Sequence, residues 1–426
     1  MSILDELDAR GLFASCTDRT GLADVLASHA PVSVYAGYDP TSPSLHVGNL
    51  VPTILLKRFQ LAGHRPIIVV GGATGMIGDP SGKSEERNLL DATTLAANVA
   101  GIHAQLARLL AFDTSPTGAA MTNNHEWTAG LTFLEFLRDV GKHLTVNYMT
   151  AKDSVKSRLE GEAGISYTEF SYMLLQAFDF VHLAESHDCR LQVGGNDQYG
   201  NITAGCELQR KLGRAQLFGW TAPLLLDSSG QKMGKTSTGE RIWLDPARTP
   251  PFAFYQYWLN TSDDDAPRLL RMFSLEPLAA IDALLAAHDA DRSKRTAQRE
   301  LARAMTAWVH GADAIASIES ASGEIFSGDL SKLGDAELEA MAGTIPGIDV
   351  PRAELEAGIA LIDLLVRAGL EDSKSNARRQ ITQGGAALNN VVVTDLQKKV
   401  GVADLLTPTR LVLRKGRKHY RIVRAV

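Results

Sequence analysis

Cysteine is scarce in this chain: three in 426 residues, Cys16, Cys189 and Cys206, odd in number and far apart. That pattern excludes a disulfide framework and the usual spaced zinc motifs, so three reduced thiols are expected. Long apolar runs are also missing, and nothing approaches the ~18 residues that a membrane span needs. The first residues, Met1-Ser2-Ile3-Leu4-Asp5-Glu6, carry acids where a secretion signal carries bases. These absences lead us to expect a cytoplasmic chain with no membrane partner. Two nucleotide-binding signatures are lacking as well. The glycine-rich stretch Gly71-Gly72-Ala73-Thr74-Gly75-Met76-Ile77-Gly78-Asp79-Pro80-Ser81-Gly82-Lys83 has Ile77 where a P-loop needs its first glycine, and it holds no G-x-G-x-x-G.

What is present is core-forming material and uneven charge. At 45% hydrophobic and 22% charged residues the chain can bury a sizeable core in two or three domains. The net charge of -6 conceals a division: from Gly358 onward 13 Lys+Arg face 5 Asp+Glu, whereas 30 face 44 before it. A basic end on an acidic body is the footprint of nucleic-acid contact.

Periodicity gives the organisation. Short apolar runs (Val32 to Gly37, Pro66 to Gly72, Arg190 to Gly194) alternate with helical stretches up to about residue 225, the pattern of a parallel-sheet α/β domain whose ligands bind at strand carboxyl ends. A mainly helical insertion is expected at about 88–147, with Leu131 to Gly141 suited to packing against another surface. We expect a mobile lysine loop at 226–245, a helical domain at 246–326, a linker at 327–350 and a basic α+β module at 351–426. In that module, Leu361 to Ala368 and Ser375 to Thr382 read as helices, Gly384-Gly385 as a turn, and Ala387 to Val393 and Arg417 to Val426 as strands.

Several segments point to chemistry. Leu45-His46-Val47-Gly48-Asn49 follows a strand and a Pro/Ser-rich turn, so His46 to Asn49 should open a helix and present free N–H groups to an anion. Lys232-Met233-Gly234-Lys235-Thr236 follows the strand-like run Ala222 to Leu226 and places two ammonium groups and a hydroxyl on a loop. A helix is expected from Tyr167 to Ala184, opened by a Ser166-x-x-Glu169 capping box. At 100° per residue, Phe170, Leu174, Ala177 and Val181 share one face; Tyr172, Gln176 and Asp179 share the other, either a solvent face or a site for a small polar ligand. Gln192 to Asn201 runs a strand into a glycine turn in which Asp197 either bonds a ribose or caps its own turn.

Taken in order, Tyr35-Ala36-Gly37-Tyr38-Asp39-Pro40-Thr41, the 71–83 glycines, Tyr172 to Asp179, the 192–201 turn and the lysine loop resemble the bacterial-type tyrosyl-tRNA synthetases, class I enzymes, along almost the whole chain. Leu364 to Leu370 and Ser375-x-Ala377-Arg378-Arg379-x-Ile381-x-x-Gly384-Gly385 resemble the RNA-binding module of ribosomal protein S4. The resemblance implies a Rossmann-like catalytic domain, a helical anticodon-side domain, an S4-like domain and a homodimer. It implies ligation of L-tyrosine to tRNA(Tyr), with ATP as substrate, Mg2+ arriving with it, and no structural metal. Carried over by position, it puts Tyr35 and Asp179 on the phenol, Asp79, Tyr172 and Gln176 on the α-ammonium, and Gln198 near the carboxylate. It puts Asp39, Asn49, Gly195 and Asp197 on adenosine, and Thr41, His46, Lys83, Arg87, Lys232, Lys235 and Thr236 around pyrophosphate. Lys374, Arg378, Arg379, Arg417 and Lys418 would meet tRNA. Asn49 stands where many relatives have histidine, Ala36 lacks a polar group, and Pro52 replaces a small hydroxyl residue, each bearing on ATP affinity. The rivals are a tryptophanyl-tRNA synthetase and an RNA-binding factor whose synthetase core is inactive.

Overall fold

A computed structural model describes the chain apart from residues 29, 82–90, 162–163, 236–238, 328–329, 331–333, 336–337, 339–344, 346 and 417–418; for 92 and 320–327 it describes the backbone alone. Lys83, Arg87, Thr236, Arg417 and Lys418 therefore lie outside the described residues. The chain forms two units, Met1–Asp245 with Ser262–Gln298, and Pro246–Thr261 with Arg299–Val426.

The first unit is built on a six-stranded sheet. Its strands are β1 (Ser15–Cys16), β2 (Ser33–Tyr38), β3 (Arg65–Val70), β4 (Ala120–Asn123), β5 (Cys189–Gly195) and β6 (Phe218–Ala222), ordered β1-β6-β5-β2-β3-β4. All neighbours are parallel except the short edge strand β1, which runs against β6. Parallel strands are covered on both faces, which is why Pro66 to Val70 and Leu191 to Gly194 are unbroken buried runs. Strand order progresses one way from β2 through β3 to β4 and the other way through β5 to β6. The switch between β2 and β5 leaves a crevice beyond their carboxyl ends.

Three details differ from the sequence expectations. Ala120–Asn123, within the stretch expected to be mainly helical, pairs with β3 and extends the sheet. The run Ala222 to Leu226 does not continue as a strand: β6 ends at Ala222, because Pro223 has no N–H to give a ladder, and Leu226 makes one isolated bridge to Lys232. The expected helix from Tyr167 extends to His187 and ends on Asp188 in a left-handed conformation. Ser166 caps it by accepting the Glu169 N–H, and the Glu169 carboxylate is bound by both Arg158 amino groups at 2.8 and 2.7 Å, with both side chains buried.

In the second unit, the carboxyl-terminal part has a five-stranded sheet of β7 (Gly347–Val350), β9 (Ala386–Leu388), β10 (Val391–Val392), β12 (Arg410–Lys415) and β13 (His419–Ala425). A two-stranded pair, β8 (Ile359–Ala360) and β11 (Lys399–Val400), lies beside it. Helices Leu361–Arg367 and Lys374–Thr382 bury Leu364, Leu365, Ala377 and Ile381 against Leu411, Leu413 and Val423. The expected strand Ala387 to Val393 is instead a hairpin. Asn389 and Asn390 take φ of 49° and 63°, the left-handed pair of a two-residue turn that asparagine tolerates.

Candidate active site

A cavity of about 680 Å³ opens at the carboxyl ends of the parallel strands. The described residues expected at the ligand sites come together on its wall: Tyr35, Asp39, Thr41, His46, Asn49, Asp79, Tyr172, Gln176, Asp179, Gly195, Asp197, Gln198, Lys232 and Lys235. They arrive from strands, their following turns, one helix face and the lysine segment. Tyr35 lies on β2 and Asp39 follows it, Gly195 ends β5, and Tyr172, Gln176 and Asp179 project from one face of helix Tyr167–His187. That face is not a solvent face, since Tyr172 and Asp179 are buried; the opposite face, with Leu174, Ala177 and Val181, packs on Val140, Leu144 and Met149.

The deep end is closed off from bulk solvent. Tyr35 is 1% exposed, lies edge-on to Phe180, and its buried hydroxyl has no hydrogen-bond partner among the described residues. An unmatched buried hydroxyl costs about 1–3 kcal/mol, so a ligand that supplies a partner recovers that energy. Asp179 accepts from Asn124 Nδ2 at 2.9 Å and Trp127 Nε1 at 2.8 Å. Burial raises its carboxyl to about 7, those two donors acting against the rise, and burial followed by the Asp179 charge pushes the Tyr35 phenol well up. Asn124 is itself fixed, accepting the Ala73 N–H at 2.7 Å and donating to Thr74 at 3.0 Å. Neither Asn124 nor Trp127 stood out in the sequence. Their positions follow from β4, whose end brings them beneath the helix.

The middle is a polar mesh. Tyr172 Oη donates to Asp39 at 2.9 Å, and Thr74 donates to the other Asp39 oxygen at 3.0 Å. Gln198 Nε2 donates to Asp79 at 2.7 Å, and Ser81 N–H gives Asp79 a bond of 2.9 Å. Asn201 joins the mesh by donating to Gln176 Oε1 at 3.0 Å. The glycines of 71–72 serve this packing: a Cβ on Gly71 would collide with Asp39 and Thr74, and one on Gly72 with Asn123. Asp197 is raised by burial and then by the Asp79 charge, with Lys232 opposing.

The outer end is built from backbone and cations. His46 caps the short 3-10 turn Val47–Asn49, accepting the Gly48 N–H on Nδ1, while Asn49 Oδ1 accepts the His46 N–H at 3.0 Å. Helix Leu50–Leu61 follows with Pro52 in its first turn, where a missing N–H costs little. The lysine segment folds back beside this cap. Met233 N–H bonds Leu225 O, Ile242 N–H bonds Gly234 O, Val47 N–H bonds Ile242 O and Leu244 N–H bonds Leu45 O. Lys232 and Lys235 are exposed at the cavity mouth.

Residues 27–327, which carry this switch-point cavity with its helix cap and lysines, match a family model described as tRNA synthetases class I (W and Y). The chain belongs to that family. A second model, described as Tyrosine--tRNA ligase SYY-like C-terminal domain, matches residues 343–423. Over 424 residues the chain is 49% identical to a tyrosine–tRNA ligase of Rhodopirellula baltica, covering 99% of this chain and 96% of that one. It is 48% identical over 426 residues to one of Roseiflexus castenholzii, covering 100% of both. A C-terminally truncated mitochondrial tyrosyl-tRNA synthetase of Aspergillus nidulans superposes with a TM-score of 0.69 at 32% identity, covering 76% of this chain and 94% of that one. Within the class, the chain groups with the tyrosine–tRNA ligases.

Proposed function

We propose that the cavity holds L-tyrosine at its deep end and ATP at its cationic end, and that the chain ligates tyrosine to tRNA(Tyr) by way of tyrosyl-adenylate. The observation that carries the placement is the buried, unpartnered Tyr35 hydroxyl beside Asp179. A substrate phenol gives the Tyr35 hydroxyl a partner and adds a donor to Asp179; a phenylalanine ring leaves the Tyr35 hydroxyl unmatched. Tyrosyl-tRNA synthetase is a standard illustration of this discrimination, and its magnitude is not a prediction of ours.

In this reading Asp79, Tyr172 and Gln176 receive the α-ammonium, with Asp39 close by through its bond to Tyr172. Gln198 lies by the carboxylate. Gly195, Asp197, Asn49 and Asp39 face adenosine, and Thr41, His46, Lys232 and Lys235 face the phosphates; Lys83, Arg87 and Thr236, expected with them, lie outside the described residues. The tyrosine carboxylate, already ionised, attacks the α-phosphorus; the bond to the bridging oxygen breaks and pyrophosphate leaves with the electron pair. A terminal ribose hydroxyl of tRNA then attacks the activated carbonyl carbon, the bond from that carbon to the phosphate oxygen breaks, and AMP leaves with the hydroxyl proton. No protein nucleophile is required, so rate comes from positioning and from cations on developing phosphate charge. Magnesium enters as part of the ATP substrate.

The reading places the enzyme in the cytoplasm; among the described residues no helix is long and apolar enough to cross a membrane. Exposed Lys374, Arg378 and Arg379 along helix Lys374–Thr382 offer basic groups to tRNA. Phe133, Leu134 and Val146, 65%, 76% and 62% exposed, offer an apolar face to a second copy. Sedimentation at micromolar concentration as a monomer would count against that dimer.

The deciding experiment is ATP–pyrophosphate exchange with tyrosine, tryptophan and phenylalanine supplied separately. Exchange dependent on tyrosine is expected; exchange with tryptophan instead, or with none, overturns the assignment.

A further inference from the structure

Position 241 lies within the 226–245 loop but beyond its Lys232–Thr236 motif. Arg241 nevertheless reaches the same cavity wall as His46, Lys232 and Lys235. Its backbone forms an antiparallel bridge with Lys235, and Trp243 forms one with His46. Residues directly opposite in an antiparallel pair project to the same side, and so do residues two apart on one strand. Lys235, Arg241, Trp243 and His46 therefore share one face of this small ribbon, while Ile242 between them is buried on the other.

The ring geometry agrees with that alternation. The Arg241 guanidinium carbon is 5.7 Å from the Trp243 ring centroid, and the Trp243 ring is edge-on to His46 at 6.3 Å. An indole face attracts a guanidinium and holds its planar fork in one orientation. Two cations placed directly across a strand pair repel each other, and such an arrangement becomes favourable when an anion lies between them. Pyrophosphate is an anion of that kind, and a guanidinium can bind two of its oxygens at once.

We propose that Arg241 is a further catalytic residue, binding the β- and γ-phosphates of ATP and the departing pyrophosphate opposite Lys235, with Trp243 setting its orientation. The inference rests on the functional reading given above. It is tested by the reverse reaction, in which pyrophosphate and enzyme-bound tyrosyl-adenylate regenerate ATP and tyrosine.

Arg241→Ala should raise the pyrophosphate concentration for half-maximal rate by about tenfold or more, the scale of a lost charge-assisted hydrogen bond. Arg241→Lys should recover part of the loss, and Arg241→Gln, which keeps the stem and removes the charge, should not. Tyrosine affinity and transfer of tyrosine from the bound adenylate to tRNA should change by less than about twofold, because neither involves pyrophosphate. An unchanged pyrophosphate dependence in Arg241→Ala overturns the inference, as does an equal fall in transfer, which would make Arg241 a support for the loop. Absence of tyrosine-dependent exchange in the wild-type enzyme overturns the functional reading, and the inference with it.

Discussion

The two ends of the cavity are made by opposite means. At the deep end, Tyr35 and Asp179 are 1% and 3% exposed and touch neutral partners, so burial sets their electrostatics. At the mouth, Lys232 and Lys235 stand in solvent, and what holds them is backbone bonding between Leu45–Val47, Gly234 and Ile242–Leu244. The first arrangement suits selection, since a wrong ring leaves a buried dipole unmatched whatever the ionic strength. The second suits reaction, since cations that are hydrated in the free enzyme can close on phosphate charge as it develops. Substitutions at the two ends should therefore fail in different ways.

The largest effect is expected at the mouth. Lys235→Ala should slow single-turnover adenylate formation by about a hundredfold or more while leaving tyrosine affinity nearly unchanged. Near-normal turnover would remove the lysine loop from the mechanism, and a matching loss of tyrosine affinity would erase the distinction between the ends.

A smaller, two-signed effect is expected at the deep end. Tyr35→Phe deletes a buried hydroxyl that has no hydrogen-bond partner among the described residues. The free enzyme should gain stability, up to about 1–3 kcal/mol from the removed penalty, while KM for tyrosine rises by about tenfold and selection against phenylalanine weakens. Thermal melting and exchange kinetics on the same preparation check both signs. A loss of stability would show that the hydroxyl is matched in the free enzyme.

These ends were not equally legible in the sequence. Helix Tyr167–His187 could be read from its 3.6-residue period and the Ser166 cap, and its Tyr172-Gln176-Asp179 face was visible as an arc free of lysine and glutamate. The cap at His46 followed from a strand, a Pro/Ser turn and an apolar helix in succession. Asn124 and Trp127 were not legible, because their role depends on Ala120–Asn123 joining the sheet, and a four-residue run within helices carries little strand signal. Asn201 lay in a motif already singled out, yet its contact with Gln176 depends on two helices meeting. Arg241 was hidden for a related reason: its opposition to Lys235 is a single backbone bridge that no pattern of apolar residues specifies. The Asn389-Asn390 hairpin was legible in principle, since paired asparagines inside a β-branched run are a turn signal.

The remaining effect sharpens the comparison most, because it isolates burial from contact. In the folded enzyme the Asp179 carboxyl is raised from 3.8 to about 7. Between those values the folded chain keeps a proton that the unfolded chain has lost, so unfolding releases it and stability must fall as pH rises across the window, levelling off above. This is the reverse of a salt-bridged carboxylate. In Asp179→Asn the titrating group is gone, and the amide also meets the Asn124 and Trp127 donors poorly, which adds a cost independent of pH. Melting temperatures of the two proteins from about pH 4 to pH 8 separate those contributions. The wild type should lose stability relative to the variant as pH rises to about 7, on top of any constant offset. A difference that stays constant across the range would mean that Asp179 is ionised throughout, and that the deep end, like the mouth, is governed by hydration and paired charge.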